Sequence, residues 1–328
     1  MSSNRDSNRI VIAGASSLLG ADLKSLLEES RFAAWDLSLV DEEIAAGTLT
    51  EAGGEPAVIQ PVEEGTFDRA KLIFFTGSSQ FTGANLAAAK GSGAIVMDLS
   101  GASLDAPNTS VWFGSSDVDK NRPVYAIPSA PGLIAAKLLT AFGDALTRLA
   151  LVFFHPVSEA GRAGIEELEA QTSHLLSFQS IGQPIFDTQV AFNLLDQYGP
   201  ASRHSLASIR DRVRKEVSFA ASSSSVKPSV QLLHAPVFYG YTFVALAELS
   251  SHQGRETLLD KSRKAGFSVE TTAPSPMGNL TASGDSAIHL AIPEADSAQP
   301  NNWWLWGAAD NIRLPAATAV KLAEKRLA

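Results

Sequence analysis

No cysteine occurs anywhere in the 328 residues. That excludes a disulfide framework, a thiolate metal site and any mechanism built on a protein thiolate. Histidine is sparse as well: the six copies are scattered without ligand spacing, so no metal is expected. Sustained Lys/Arg runs are missing and the formal charge is −9. Such a chain repels phosphate backbones, and no nucleic-acid partner is expected. Long apolar runs are also missing. The window most like a membrane span, Leu133 to Phe142, is short and carries Lys137, so no membrane association is expected. The segment Met1 to Arg9 is polar and lacks the apolar stretch of a secretory signal, which reads as a cytoplasmic protein.

With 45% apolar residues, the chain can bury a large core divided between two domains. Arg9 to Ala13 is a largely apolar run ending at Gly14, and Leu18 to Leu27 then carries apolar residues at helical spacing. This predicts a strand, a glycine turn and a helix. Further strands are expected at Trp35 to Val40, Lys71 to Phe75 and Ala94 to Met97, with helix at Leu86 to Lys90; the alternation implies a parallel sheet. An apolar helix is expected over Leu133 to Leu149, a strand at Leu149 to Phe154, and a helix from about Gly164 to Phe178 with Ile165, Leu168, Thr172 and Leu175 on one face. Ala220 to Ser229 reads as a solvated loop. Pro236 to Leu249 reads as one long strand, Ala287 to Pro293 and Trp303 to Gly307 as an antiparallel pair, and Leu314 to Leu327 as a closing helix.

The turn Gly14-Ala-Ser-Ser-Leu-Leu-Gly20 sits where a helix N-terminus offers amides to a pyrophosphate, which nominates Gly14, Ser16, Ser17, Leu18 and Gly20 for cofactor binding. Ser17 replaces a glycine that normally allows close phosphate approach, so its side chain is expected to obstruct the site. Asp41, at the end of the second strand, suits a ribose 2′-hydroxyl and favours NAD over NADP; Asp41, Glu42 and Glu43 read equally well as an exposed acidic turn.

Several segments in order carry a resemblance: the Gly14 turn, Phe75-Thr-Gly-Ser-Ser79, Val96-Met-Asp-Leu-Ser100, Pro156-Val-Ser-Glu-Ala-Gly161, Val190-Ala-Phe-Asn-Leu-Leu195 and Asp310-Asn311. Together they resemble aspartate-semialdehyde dehydrogenase over nearly the whole chain. The resemblance implies an α/β fold: a Rossmann-type doubly wound parallel sheet for NAD or NADP, residues 1–131 with 312–328. It also implies a second α+β dimerisation domain, residues 132–311, like the C-terminal domain of glyceraldehyde-3-phosphate dehydrogenase, and hence a homodimer. It adds Thr76, Gly77, Ser100 and Gly101 to the cofactor positions.

The family attacks an acyl phosphate with a cysteine, expels phosphate, and releases the aldehyde by hydride transfer to the thioester. Its Pro-Asn-Cys motif corresponds here to Pro128-Ser-Ala130, which puts Ala130 at the nucleophile's position. The base position falls on Tyr241, the two arginine positions on His234 and Leu104, and the glutamine position on His155, with Glu159 where glycine is usual. The original thioester chemistry is therefore lost, and binding of the cofactor is itself in question.

His155 and Glu159 read as an acid/base pair for other chemistry, or as a loop capping the next helix. Ser129 would need a base that the sequence does not identify. Trp303, Trp304 and Trp306 read as core and dimer-interface aromatics. Arg203, His204, Arg210, Arg212, Arg214 and Lys215 form a basic helical patch that reads as a solvated face, a small-anion site or a subunit contact. Three functions follow: an inactive nucleotide- or small-ligand-binding or regulatory homodimer, an NAD(P)-dependent oxidoreductase of altered chemistry using His155, Tyr241 or Glu159, and a structural dimer with a vestigial cleft.

Overall fold

The computed structural model describes residues 8–52, 54–114, 118–269 and 276–328; most of the polar N-terminal segment, residues 1–7, lies outside them. The chain divides into two compact units, Met1–Pro128 with Pro315–Ala328, and Ser129–Leu314.

Unit 1 contains β1 (Arg9–Ala13), α1 (Leu18–Glu28), β2 (Asp36–Asp41), the hairpin β3 (Leu49–Ala52) and β4 (Glu55–Val58), β5 (Gln60–Pro61), β6 (Ala70–Phe75), α2 (Ser79–Gly91), β7 (Ile95–Asp98), β8 (Thr109–Val111) and β9 (Val124–Ala126). Its main sheet has the order β5-β2-β1-β6-β7-β9-β8, and every pairing in it is parallel. Strand alternation sends Ile10, Ile12, Leu72 and Phe74 to one face, where Leu23 and Leu27 of α1 pack with Ala316, Ala319, Leu322 and Ala323 of the C-terminal helix (Arg313–Arg326). Val11, Ala13, Ile73 and Phe75 face the other way, against Phe81 and Ala89 of α2. Both faces being covered explains why these strands read as continuous apolar runs. The order reverses between β1 and β6, the crevice where open parallel sheets bind ligands.

Unit 2 contains α3 (Ala130–Phe142), β10 (Leu146–His155), α4 (Gly161–Leu176), α5 (Leu206–Ala220), β11 (Ser229–His234), β12 (Tyr241–Leu249), α6 (Arg255–Lys264), β13 (Phe267–Val269), α7 (Asn279–Ala282), β14 (Ile288–Leu290), β15 (Glu294–Ala295) and β16 (Asn302–Ala309). The mixed sheet runs β11-β10-β12-β16-β14-β13, with β15 on β16. Leu151, Phe153, Phe243, Ala245 and Leu305 fill its buried face. Its other face alternates with that set and carries Val152, Phe154, Val244 and Leu246, half-buried, beside the exposed Trp304 and Trp306.

Several sequence-based boundaries need correction. The apolar helix does not reach Leu149: it ends at Phe142 because Gly143 takes φ +46, a conformation that halts a helix, and β10 starts at Leu146. The long strand does not begin at Pro236. Gly240 at φ +83 breaks it, and residues 235–238 instead turn back onto the segment after β10, with Val157 N–H donating to Val237 O and Ser158 N–H to Phe238 O. The helix expected from Gly164 begins at Gly161. Arg203 and His204 precede α5, whose N-cap is Ser205, so the basic patch is only partly helical. The antiparallel pair near the C-terminus is present, with Ile288 opposite Ala309 and Leu290 opposite Gly307.

Candidate functional site

In unit 1 the glycine turn is built by close backbone approach. Gly14 takes φ +97, and a Cβ added there would lie 2.1 Å from the Gly77 amide nitrogen. At Gly20 a Cβ would lie 2.5 Å from Gly14 O. Thr76 Oγ1 donates to Gly14 O at 2.9 Å, joining the turns after β1 and β6. Gly14→Ala is therefore expected to cost about 3 kcal/mol, combining strained φ with a backbone clash that no rotamer relieves. A lowered urea midpoint with unchanged slope would show it.

Ser17 corrects an expectation. It is the N-cap of α1: its hydroxyl donates to Gly14 O at 2.7 Å, and the same oxygen accepts from Gly20 N–H at 2.9 Å. The side chain is folded into the turn rather than projected at a phosphate. The first-turn amides of Leu18 and Leu19 have no partner among the described residues, which leaves them as anion donors. Ser16 N–H donates to Asp41 Oδ2 at 2.7 Å and Glu42 N–H to Asp41 Oδ1 at 2.8 Å. Asp41 is buried while Glu42 and Glu43 are exposed, so the acidic turn has two different parts. Further along the sheet, Asp98 accepts from the amides and hydroxyls of Ser100 and Ser103 at 2.6–2.8 Å, fixing the loop that contains Gly101. Leu104 closes that loop as a buried apolar side chain.

In unit 2, Ala130 is the first residue of α3 and only 1% exposed. The N-cap, Ser129, makes no capping bond to its own helix. Its hydroxyl donates to Glu216 Oε2 at 2.5 Å, and its amide donates to the same oxygen at 3.1 Å. Glu216, fully buried on α5, is held from the other side by Arg212 Nε at 2.9 Å. Sequence reasoning treated Arg212 as part of a basic face and passed over Glu216; their i, i+4 spacing was the available signal. Removing the carboxylate, as in Glu216→Ala, takes away the buried acceptor that the two Ser129 donors and Arg212 share, and about 3 kcal/mol of stability should be lost. Glu216→Gln should recover a measurable part of it in thermal unfolding.

Of the two readings of His155 and Glu159, the acid/base pair is not formed. His155 Nδ1 shares a 2.6 Å hydrogen bond with the Tyr241 hydroxyl, while Glu159 Oε1 accepts from Asn311 Nδ2 at 2.9 Å. The reason is strand geometry: His155 ends β10 and Tyr241 opens the antiparallel β12, whereas Glu159 lies within the 3-10 turn Val157–Ala160 that follows β10. His234 lies directly opposite His155 on β11. Its Nε2 donates to Val190 O at 3.3 Å, so its Nδ1 accepts from the Tyr198 hydroxyl at 3.2 Å. His155, His234 and Tyr241 are 2%, 0% and 1% exposed. Three positions that the resemblance makes substrate-facing are thus buried and bonded within the protein.

Their electrostatics follow. Burial, with His234 and His204 nearby, lowers His155 to a pKa of about 3. Burial lowers His234 to about 4, opposed by its bond to the Val190 carbonyl. Tyr241 is raised well above its ordinary value, chiefly by burial. Glu159 is accessible to solvent but crowded by protein, and loss of hydration raises its carboxyl despite the Asn311 bond and the Arg212 charge. Asn311 also anchors the neighbouring backbone, its Oδ1 accepting from Gly240 N–H at 2.8 Å. Asp310 caps the C-terminal helix through Ile312 N–H and Arg313 N–H. No group of three or more His, Asp or Glu that could hold a metal occurs among the described residues, and none of their helices is long and apolar enough to cross a membrane.

Comparison with known proteins places this geometry. The family pattern described as semialdehyde dehydrogenase, dimerisation domain, matches residues 138–314. The chain is 28% identical to a USG-1 protein homolog of Pseudomonas aeruginosa, covering 96% of each protein. It is 24% identical to aspartate-semialdehyde dehydrogenase 2 of Vibrio cholerae, again over 96% of each. Its fold matches the crystal structure of aspartate semialdehyde dehydrogenase II from Vibrio cholerae complexed with ASA, with a TM-score of 0.87, 22% identity and 98% of both chains covered.

Proposed function

Because this chain belongs to the semialdehyde dehydrogenase family, we propose that it is a dinucleotide-binding homodimer of that family which has given up acyl-phosphate chemistry. One observation carries the reading: Ala130 stands at the start of α3, and the positions that correspond to the former reactive residues are buried and occupied, His155 and Tyr241 with each other and His234 with Tyr198. The alanine has no lone pair or proton to offer, and no cysteine elsewhere can take over.

The residues of the glycine turn fit a nicotinamide dinucleotide. Gly14 and Gly20 allow the close backbone packing, the Leu18 and Leu19 amides are free to take a pyrophosphate, and the Ser17 side chain is turned away. Such a cofactor, once bound, supplies hydride transfer. The chain's own residues supply the cradle, and the buried Asp41 orders it by tying Ser16 to the end of β2. The preferred form is NAD. Dimerisation is supported by the family domain and by the uncovered apolar face of the mixed sheet, which resembles half of a core.

A cysteine-independent redox reaction through His155, Tyr241 or Glu159 has less support. The first two are buried against each other and Glu159 is held by Asn311. Titration with NADH, followed by its fluorescence, tests the dinucleotide reading. Saturable binding is expected; none at millimolar cofactor would leave the structural-dimer reading in its place.

A further inference from the structure

We infer that Ser129 and Glu216 form a serine–carboxylate dyad that takes an acyl group from an activated donor, an aryl ester or a thioester, and passes it to water. Ser129 is the one residue of the stretch 124–136 that is not buried. Its hydroxyl donates to Glu216 Oε2 at 2.5 Å, while Arg212 Nε holds the other carboxylate oxygen at 2.9 Å. A hydroxyl within hydrogen-bond reach of a base, with that base oriented by a third group, is the arrangement that activates a weak nucleophile. So short a bond to a carboxylate polarises the O–H toward the acceptor. An ordinary helix cap would instead turn its oxygen to the first amides of α3, and Ser129 makes no such bond. Those amides stay open: Ala130 N–H and Gly132 N–H have no partner among the described residues, and Pro131 between them has no N–H. The amide directly after a nucleophile is a recurring oxyanion donor, and the helix dipole favours the negative charge that develops there.

The reaction balances without a cofactor. Ser129 Oγ attacks the carbonyl carbon of the donor as its proton passes to Glu216 Oε2. The oxyanion that forms lies against the Ala130 and Gly132 amides, then collapses and expels the leaving group with its bonding electrons. Glu216 releases the first proton to solvent and next takes one from an attacking water. The second oxyanion expels Ser129 Oγ, which recovers its proton from Glu216, and a free carboxylic acid departs. Nothing is oxidised or reduced, so the inference stands apart from dinucleotide binding. The substrate class follows from the base. A carboxylate is a weaker base than the imidazole of a histidine-driven serine nucleophile. Its proton is also poorly placed to assist a strongly basic leaving group. The donor must therefore lose an aryl oxide or a thiolate, which depart unprotonated, and alkyl esters and amides should not react.

p-Nitrophenyl acetate tests the assignment on the full-length protein, with nitrophenolate followed by absorbance and the acetyl group located by peptide mass spectrometry. Acetyl is expected on Ser129, and a fluorophosphonate should label the same residue and stop turnover. Glu216→Gln keeps an acceptor for the Ser129 hydroxyl but cannot take its proton, so acetylation of Ser129 should slow by about 100-fold or more. Thermal unfolding of that variant shows that it is folded. Ser129→Ala, which leaves Glu216 and Arg212 in place, should abolish both the adduct and the fluorophosphonate label. Acetylation confined to lysines or the N-terminus would overturn the dyad. So would wild-type turnover in Ser129→Ala, or equal labelling of Ser129 in the wild-type protein and Glu216→Gln.

Discussion

If the chain forms the proposed homodimer through the mixed sheet, replacing Trp304 and Trp306 together by glutamate is expected to convert it into monomers, raising the dissociation constant by more than about 1,000-fold. Both indoles stand on β16, 41% and 36% exposed, on the sheet face opposite the helices. Trp304 lies opposite Leu246 and Trp306 opposite Val244 on β12, and the Phe154 ring is 6.3 Å from that of Trp306. Cross-strand aliphatic and aromatic pairs of this kind stabilise a sheet only partly when one side meets water. Their indole N–H groups are already paired, with Asp296 Oδ2 and Met277 O, so the rings can be covered without leaving a donor stranded. In a two-fold interface each substitution acts twice, which makes the effect large. The folded protomer should survive, because Trp303, buried on the other face, is untouched. Sedimentation equilibrium gives the result; an unchanged dimer would place the interface elsewhere.

Lowering the pH from 7 to 5 is expected to remove about 4 kcal/mol of stability. His155 and His234 have folded-state pKa values of about 3 and about 4, both below the ordinary histidine value. For a base with a depressed folded pKa, the unfolded chain binds the extra proton. Stability is therefore fully present above about pH 7, falls as the pH drops through about 6.5, and continues to fall until the folded values are reached. Between pH 7 and 5 each histidine contributes about 2 kcal/mol to the loss. His204, also lowered mainly by burial, adds in the same direction. Urea unfolding at the two pH values measures the sum. His155→Gln keeps a partner for Tyr241 without titrating, so it should remove about half of the pH dependence even if it lowers stability at pH 7. An unaltered slope in that variant would mean that His155 is not the titrating group.

Which features were legible in the sequence depends on how far apart the interacting residues lie along the chain. The unit 1 sheet was readable because its strands are buried on both faces and announce themselves as apolar runs ending in Gly, Ser or Asp, as Ile95–Asp98 does before Ser100. The extent of α3 was misread because apolar composition continues unbroken from helix into β10, and only Gly143 marks the junction. Short elements such as β5 and β8 escaped notice, being too brief to show a period.

At the site, local features were found and long-range ones were not. The Ser17 cap involves neighbours three residues away, yet its inward direction needed coordinates. Tyr241 is 86 residues from His155, and Glu216 is 87 from Ser129, so neither bond had a local signature. Asp41 differs from its neighbours by burial: its carboxylate accepts two amides, a role the adjacent and exposed Glu42 and Glu43 do not share, and that difference had no sign in the sequence.

The loss of thioester chemistry is the central claim, and a turnover assay tests it most directly. The purified protein, with NAD or NADP in excess, is given aspartate semialdehyde and phosphate while formation of the reduced cofactor is followed by absorbance. No phosphate-dependent reduction above the rate without protein is predicted, since Ala130 cannot form the covalent intermediate. Steady, phosphate-dependent production of NADH or NADPH that tracks the protein concentration would contradict it.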